Sequence, residues 1–159
     1  MASTRPWLRE GRLLLIVASG TRPDGTSTVD DLLAVDFLLQ HPSMLTAFAD
    51  LSSQHWRVWS LPSSSETQSS EEALLRWKRA VGASVVAPML GRLIARGLIT
   101  HRPSGELRLT AHGGGVAQRM SEDVDLAQRD RITLAAAEFR DDSDEAHDRL
   151  RIILKDPAA

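Results

Sequence analysis

The side chains best placed by type and spacing to do chemistry are basic. Between residues 73 and 110 stand Arg76, Lys78, Arg79, Arg92, Arg96, Arg102 and Arg108, against the single acid Glu106. Cations spread over a helix and a hairpin can follow a run of phosphates, each adding to an affinity that falls with salt. Arginine also grips a carboxylate or phosphate through two parallel hydrogen bonds. The same residues can instead form a solvated face or meet an acidic protein partner. This segment carries a net +6, whereas residues 1–72 carry −4 and residues 122–159 carry −5. The whole chain is at −2, which is not the basic balance of a dedicated DNA reader.

The densest acids are Asp141, Asp142, Asp144, Glu145 and Asp148. Their spacing lacks the glycine and the closing glutamate of a calcium loop. A helix start explains them, with Ser143 as its cap and Asp144 and Glu145 in the first turn, where the helix dipole favours acids. Asp141, Asp144 and Glu145 then offer an acidic face to a protein partner. Trp56 and Trp59 stand out in the serine-rich stretch 51–70. Two tryptophans in a loop either tuck into the flank of a domain or anchor a partner, and they are the candidate interface residues.

Catalytic and metal chemistry find little support. His41, His55, His101, His112 and His147 show no paired ligand spacing. Residues 113–115 are glycines without the strand and lysine of a phosphate loop, and no serine sits in a Gly-x-Ser-x-Gly elbow. The absence of cysteine excludes disulfides, thiolate zinc, iron–sulfur clusters and a cysteine nucleophile. The chain is expected to be no enzyme, with no cofactor and no metal.

The elements that must carry these residues fit in one domain, since 159 residues bury about two thirds of the surface exposed by the unfolded chain. The apolar run at 13–18 is too short to cross a bilayer or to form a signal-peptide core, so a soluble cytoplasmic protein with no membrane association is expected. Residues 8–19 read as a core helix, because 13–17 are apolar on every side. A turn over 21–27 leads to Thr28, which can cap a second helix that His41-Pro42 breaks. A short helix over 43–49 comes next, then the serine-rich loop and a short helix over 71–79. The clearest helix spans 84–96, with Val86, Leu90, Leu93 and Ile94 on one face and Arg92 and Arg96 exposed. Gly97 is its left-handed stop. Strands over 98–102 and 106–109 around Pro103-Ser104-Gly105 make a hairpin, and Thr110 opens the next helix. Two further helices fill 124–140 and 144–155.

Helices, then a helix ending in Arg-Gly-Leu-Ile, then a hairpin, then a helix is the order of a winged helix-turn-helix. The expected fold is mostly α with a small β-hairpin. It divides into a winged-helix domain at 1–122, with the Ser-rich loop at 51–70, and a C-terminal helical extension at 123–159. In DNA-binding examples the helix before the hairpin enters the major groove and the wing touches the backbone.

The stretches 29–43 (Val29-Asp30-Asp31-Leu32 through Gln40-His41-Pro42-Ser43), 90–99 (Leu90-Gly91-Arg92-Leu93 through Gly97-Leu98-Ile99) and 107–110 (Leu107-Arg108-Leu109-Thr110) carry a resemblance. They look like the corresponding blocks in the middle components of bacterial ABC-three-component systems, Lamassu-like antiphage defence systems included. The resemblance spans residues 8–120. It implies a small non-catalytic adaptor subunit that links an SMC/Rad50-like ATPase to an effector protein. DNA would be met through the complex. The alternative from a different class is a winged-helix transcriptional regulator that binds DNA as a homodimer through the helices from Val124 onward.

Overall fold

A helical run that is apolar on every side needs neighbours on every side, and residues 13–17 of α1 (Pro6–Ser19) have them. Leu13, Leu14, Ile16 and Val17 are at most 1% exposed. The computed structural model describes residues 6–52, 56, 60–62 and 86–155. The expected helix over 71–79 lies outside them, as do Trp59, Arg76, Lys78, Arg79 and most of the serine-rich loop.

After α1, Gly20 adopts a positive φ of 80° and the chain turns into a two-residue strand, β1 (Ser27–Thr28). Thr28 then caps α2 (Val29–Gln40), its hydroxyl accepting from the Asp31 N–H at 3.2 Å. Pro42 opens α3 (Pro42–Leu51), where its missing N–H leaves no intrahelical bond unmade. Past the loop, α4 (Ala87–Ala95) ends as its glycine dictates. Gly97 sits at φ 73°, Leu98 N–H donates to the Leu93 carbonyl at 3.0 Å and Gly97 N–H to that of Ile94 at 2.9 Å. This paired closure satisfies the last carbonyls and aims the chain straight into the next strand.

That strand, β2 (Ile99–His101), pairs antiparallel with β3 (Glu106–Leu109), Ile99 opposite Leu109. The expected hairpin is thus present, with one strand more than expected. β1 pairs antiparallel with the other edge of β3, Ser27 opposite Leu107, giving the order β1-β3-β2. Two residues carry no alternation from which to read a strand. The tertiary turn extends them, with the Ser27 hydroxyl accepting from the Thr21 N–H at 3.1 Å.

Thr110 joins the hairpin to the helix after it. Its hydroxyl donates to the Gly97 carbonyl at 2.6 Å and accepts from the Gly113 N–H at 2.9 Å, capping α5 (Ala111–Asp123). Then come α6 (Leu126–Asp141), capped by Asp125, and α7 (Ser143–Lys155). The expected cap of α7 was Ser143. Asp142 does that work instead, its carboxylate accepting from the Glu145 N–H at 3.1 Å.

The protein is mostly helical, with seven helices and a small three-stranded antiparallel sheet among the described residues. α2, α4, α5, α6 and β3 surround α1, and α7 packs on α3 and α6. Ile132, Phe139, Ala146 and Leu150 belong to the same buried cluster as Leu13, Val35 and Phe48. The Phe48 and Phe139 rings stack at 5.9 Å. The helices expected as an extension from residue 123 therefore complete the core of the helices before them. No single described helix is long and apolar enough to cross a membrane.

Candidate functional site

Helix α4 brings the central arginines toward α1 as much as toward solvent. Glu10, one turn into α1 and only 5% exposed, faces both of them. Arg92 Nε donates to Glu10 Oε2 at 3.0 Å, and Arg96 Nη1 to Oε1 at 3.4 Å. A charge buried to that degree needs a partner, and two arginines one turn apart supply it. Both guanidinium groups keep an exposed side, so the pair screens Glu10 while half of each arginine still meets water. On the hairpin, Arg102 lies 3.7 Å from Glu106 in an exposed pair. Arg108 is exposed on β3, and its charge acts on Asp24 in the turn before β1. The cations expected as one patch are thus divided, among the described residues, between a clamp on Glu10, a local pair with Glu106 and one arginine whose charge acts on Asp24.

The outward face of α4 is bare of hydrogen-bonding side chains other than those arginines. Ala87, Pro88, Gly91 and Ala95 are exposed, and Ile94 joins them at 39%. Among the described residues Gly91 has nothing within 4 Å of where a Cβ would stand, so none of their contacts requires glycine there. Such a face is small and apolar. It can let another backbone approach closely, and it offers nothing to the edge of a base.

Trp56 is half-buried and packs against the core, with its indole N–H out of water and without a partner among the described residues. As an expected interface anchor, it is largely engaged by its own domain. Asp141, Asp144 and Glu145 are exposed. Glu145 lies 3.8 Å from Arg149, which is itself held by Glu138 at 2.7 Å and lies over the Phe48 ring. The acids therefore line the outer edge of an interhelical contact between α6 and α7.

Sequence reasoning missed the two most heavily bonded carboxylates. Asp36 is 1% exposed and accepts from Arg9 at 2.9 Å, Arg12 at 3.1 Å and Gln40 at 2.7 Å, fastening α1 to α2. Asp31 is fully buried. Its Oδ1 accepts from the Ser143 hydroxyl and from His147 Nε2, each at 2.8 Å, and its Oδ2 accepts from the Thr21 hydroxyl at 3.1 Å. Arg22 Nε lies 3.0 Å from Oδ2. Burial pushes this carboxyl upward, but the bonds from His147 and Ser143, the charge of Arg22 and the bond from Thr21 outweigh it and hold the group below its ordinary value. Asp30 and Asp31 both read as dipole-favoured residues of a first turn, and only the spacing of Ser143 and His147 on one face of α7 hints at a partner.

The constellation of Ser143, His147 and Asp31 has the residue types of a nucleophilic triad without its geometry. Both Ser143 and His147 address the same carboxylate oxygen, so the serine proton is given to Asp31 and the imidazole is not set to receive it. The arrangement locks α2 to α7. Among the described residues, no three metal-ligating side chains come together.

Comparison with known proteins finds no family model, no curated protein and no solved structure that matches the chain.

Proposed function

We propose that this chain is a winged-helix adaptor, a non-catalytic cytoplasmic subunit that works through protein contacts. The observation that carries this reading is the state of α4. The helix that precedes a wing is the one that enters the major groove in DNA-reading members of that fold. Here its arginines are drawn back onto Glu10, and its outward face is Ala87, Pro88, Gly91, Ile94 and Ala95. The strand order β1-β3-β2 and the direct passage from α4 into the hairpin support the winged-helix assignment. The partners proposed, an SMC/Rad50-like ATPase and an effector of antiphage defence, rest on the resemblance of residues 29–43, 90–99 and 107–110.

The test is a pull-down of the tagged protein from its native host, read by mass spectrometry. Stoichiometric recovery of an ATPase with a second protein is expected. Ile94→Asp should remove that recovery while changing stability by under about 1 kcal/mol, as surface substitutions do. Recovery of the chain with DNA alone overturns the adaptor reading.

One observation favours the second reading, a DNA-binding regulator: Arg108 is exposed on the wing strand. A homodimer through the C-terminal helices has less support, because Ile132, Phe139, Leu150 and Ile153 are already spent inside the chain. Glu10→Gln separates the readings. Releasing Arg92 and Arg96 from their acid should steepen the salt dependence of nonspecific DNA binding by up to about two phosphate contacts. An adaptor shows weak binding that rises in this variant. A regulator that already uses both arginines shows strong binding that the variant leaves unchanged.

A further inference from the structure

Where α1, β3, α5 and α6 meet, they leave an open groove of about 380 Å³. That volume lies in the range of small-molecule sites. Leu15, Leu109, Ala117 and Ile132 make its apolar walls, and the hydroxyls of Ser19, Ser121 and Thr133 stand around them. Arg129 is the one charged residue among the described residues that line it, and it has no ion-pair partner among them. Most other arginines of the described chain are tied to a carboxylate or to backbone carbonyls.

Gly114 is part of the groove's lining. It lies in the first turns of α5, where glycine is a poor helix former. Its neighbour Gly113 is required by the fold, because a Cβ there would collide with the Leu98 carbonyl. Gly114 has nothing within 4 Å of where a Cβ would stand and no positive φ, so neither sterics nor backbone conformation demands glycine. A side chain at this lining position has open space to occupy.

We propose that this groove binds a small apolar monocarboxylate, with its hydrocarbon body over Leu15, Ala117 and Ile132 and its carboxylate on Arg129. The charge selects an anion, the planar guanidinium suits a carboxylate, and the apolar walls exclude a strongly hydrated ion. Nothing in the adaptor reading requires the site, and the two stand or fall separately.

The experiment is titration of the full-length protein with octanoate, followed by amide NMR shifts, with octan-1-ol as the uncharged control. Octanoate is expected to shift the amides of Gly114, Ala117 and Ile132 with an affinity of about millimolar, in keeping with its ten heavy atoms. Arg129→Gln should weaken binding about tenfold or more, the effect of losing one charge-assisted hydrogen bond. Gly114→Val should abolish binding, and Gly114→Ala, which leaves the helix easier to form, should weaken it. Thermal melts of each variant confirm the fold. Equal binding of octanol and octanoate, no localised shift, or undiminished binding in both Gly114 variants overturns the proposal.

Discussion

Asp31→Ala should lower the unfolding free energy by about 3 kcal/mol, the low end of the range for removing one partner of a buried charge network. Three donors lose their acceptor at once: Ser143, His147 and Thr21. The fourth partner, Arg22, has a side chain 42% exposed and can turn to water, which keeps the loss from being larger. Asp31→Asn retains an acceptor for Ser143 and His147 and should lose about half as much. The pH dependence has a definite sign. The folded carboxyl sits below its value of 3.8 in the free side chain, so its stabilisation is complete above that pH and fades as pH falls through the folded value. The stability gap between wild type and Asp31→Asn should therefore narrow as pH falls below about 4. Urea unfolding followed by tryptophan fluorescence at pH 6, 4.5 and 3 reads it directly. A gap that does not narrow in acid means that the carboxylate's charge is not what locks α2 to α7.

Gly113→Ala should cost a net of about 2 kcal/mol, although alanine is the better helix former by about 1 kcal/mol. Its Cβ would stand well inside contact distance of the Leu98 carbonyl oxygen and carbon. Backbone on both sides cannot yield as a side chain can, so overpacking there sits at the top of the usual range of about 1–3 kcal/mol. Two alanine substitutions bracket the effect. Gly114→Ala meets nothing and should stabilise by up to about 1 kcal/mol. At Gly11 the obstacle is the terminal methyl of Met120, a flexible side chain able to swing aside, and the loss should be smaller than at Gly113. If Gly113→Ala proves as stable as Gly114→Ala, the close seat of α5 on Leu98, just before β2, is not required by the fold.

What could be read from the sequence was local. Thr28 and Thr110 as caps, His41-Pro42 as the break after α2 and Gly97 as a stop all depend on the few residues around them, and all stand where expected. The run at 13–17 announced a surrounded helix. Less visible was anything decided by residues far apart. β1 exists because β3 presents an edge to Ser27 and Thr28, and no pattern in two residues reveals that. Ser143 looked like a cap because serine usually is one, but its hydroxyl is claimed by a carboxylate 112 residues away. The arginines were the hardest to place. A count of charges along the chain shows an excess over 73–110, and it cannot show that Glu10 draws Arg92 and Arg96 inward. Residues 113–115 look like a weak helix start until Gly113 is seen against Leu98.

The bonds from Arg140 to the carbonyls of Ser19 and Gly20, at 2.8 and 3.0 Å, also set an order of events during synthesis. The end of α1 is closed by a residue made 120 positions later, and Asp31 waits as long for His147. At about 5–20 residues per second, residues 123–155 take roughly 2–7 s to be added. Throughout that interval the nascent chain holds the buried run of α1 with one flank open, and the helices that pack on it cannot reach their final arrangement. A pause in translation just after the hairpin would prolong that exposure, whereas the same pause after α7 would be harmless. Chaperone demand should therefore depend on where the ribosome slows.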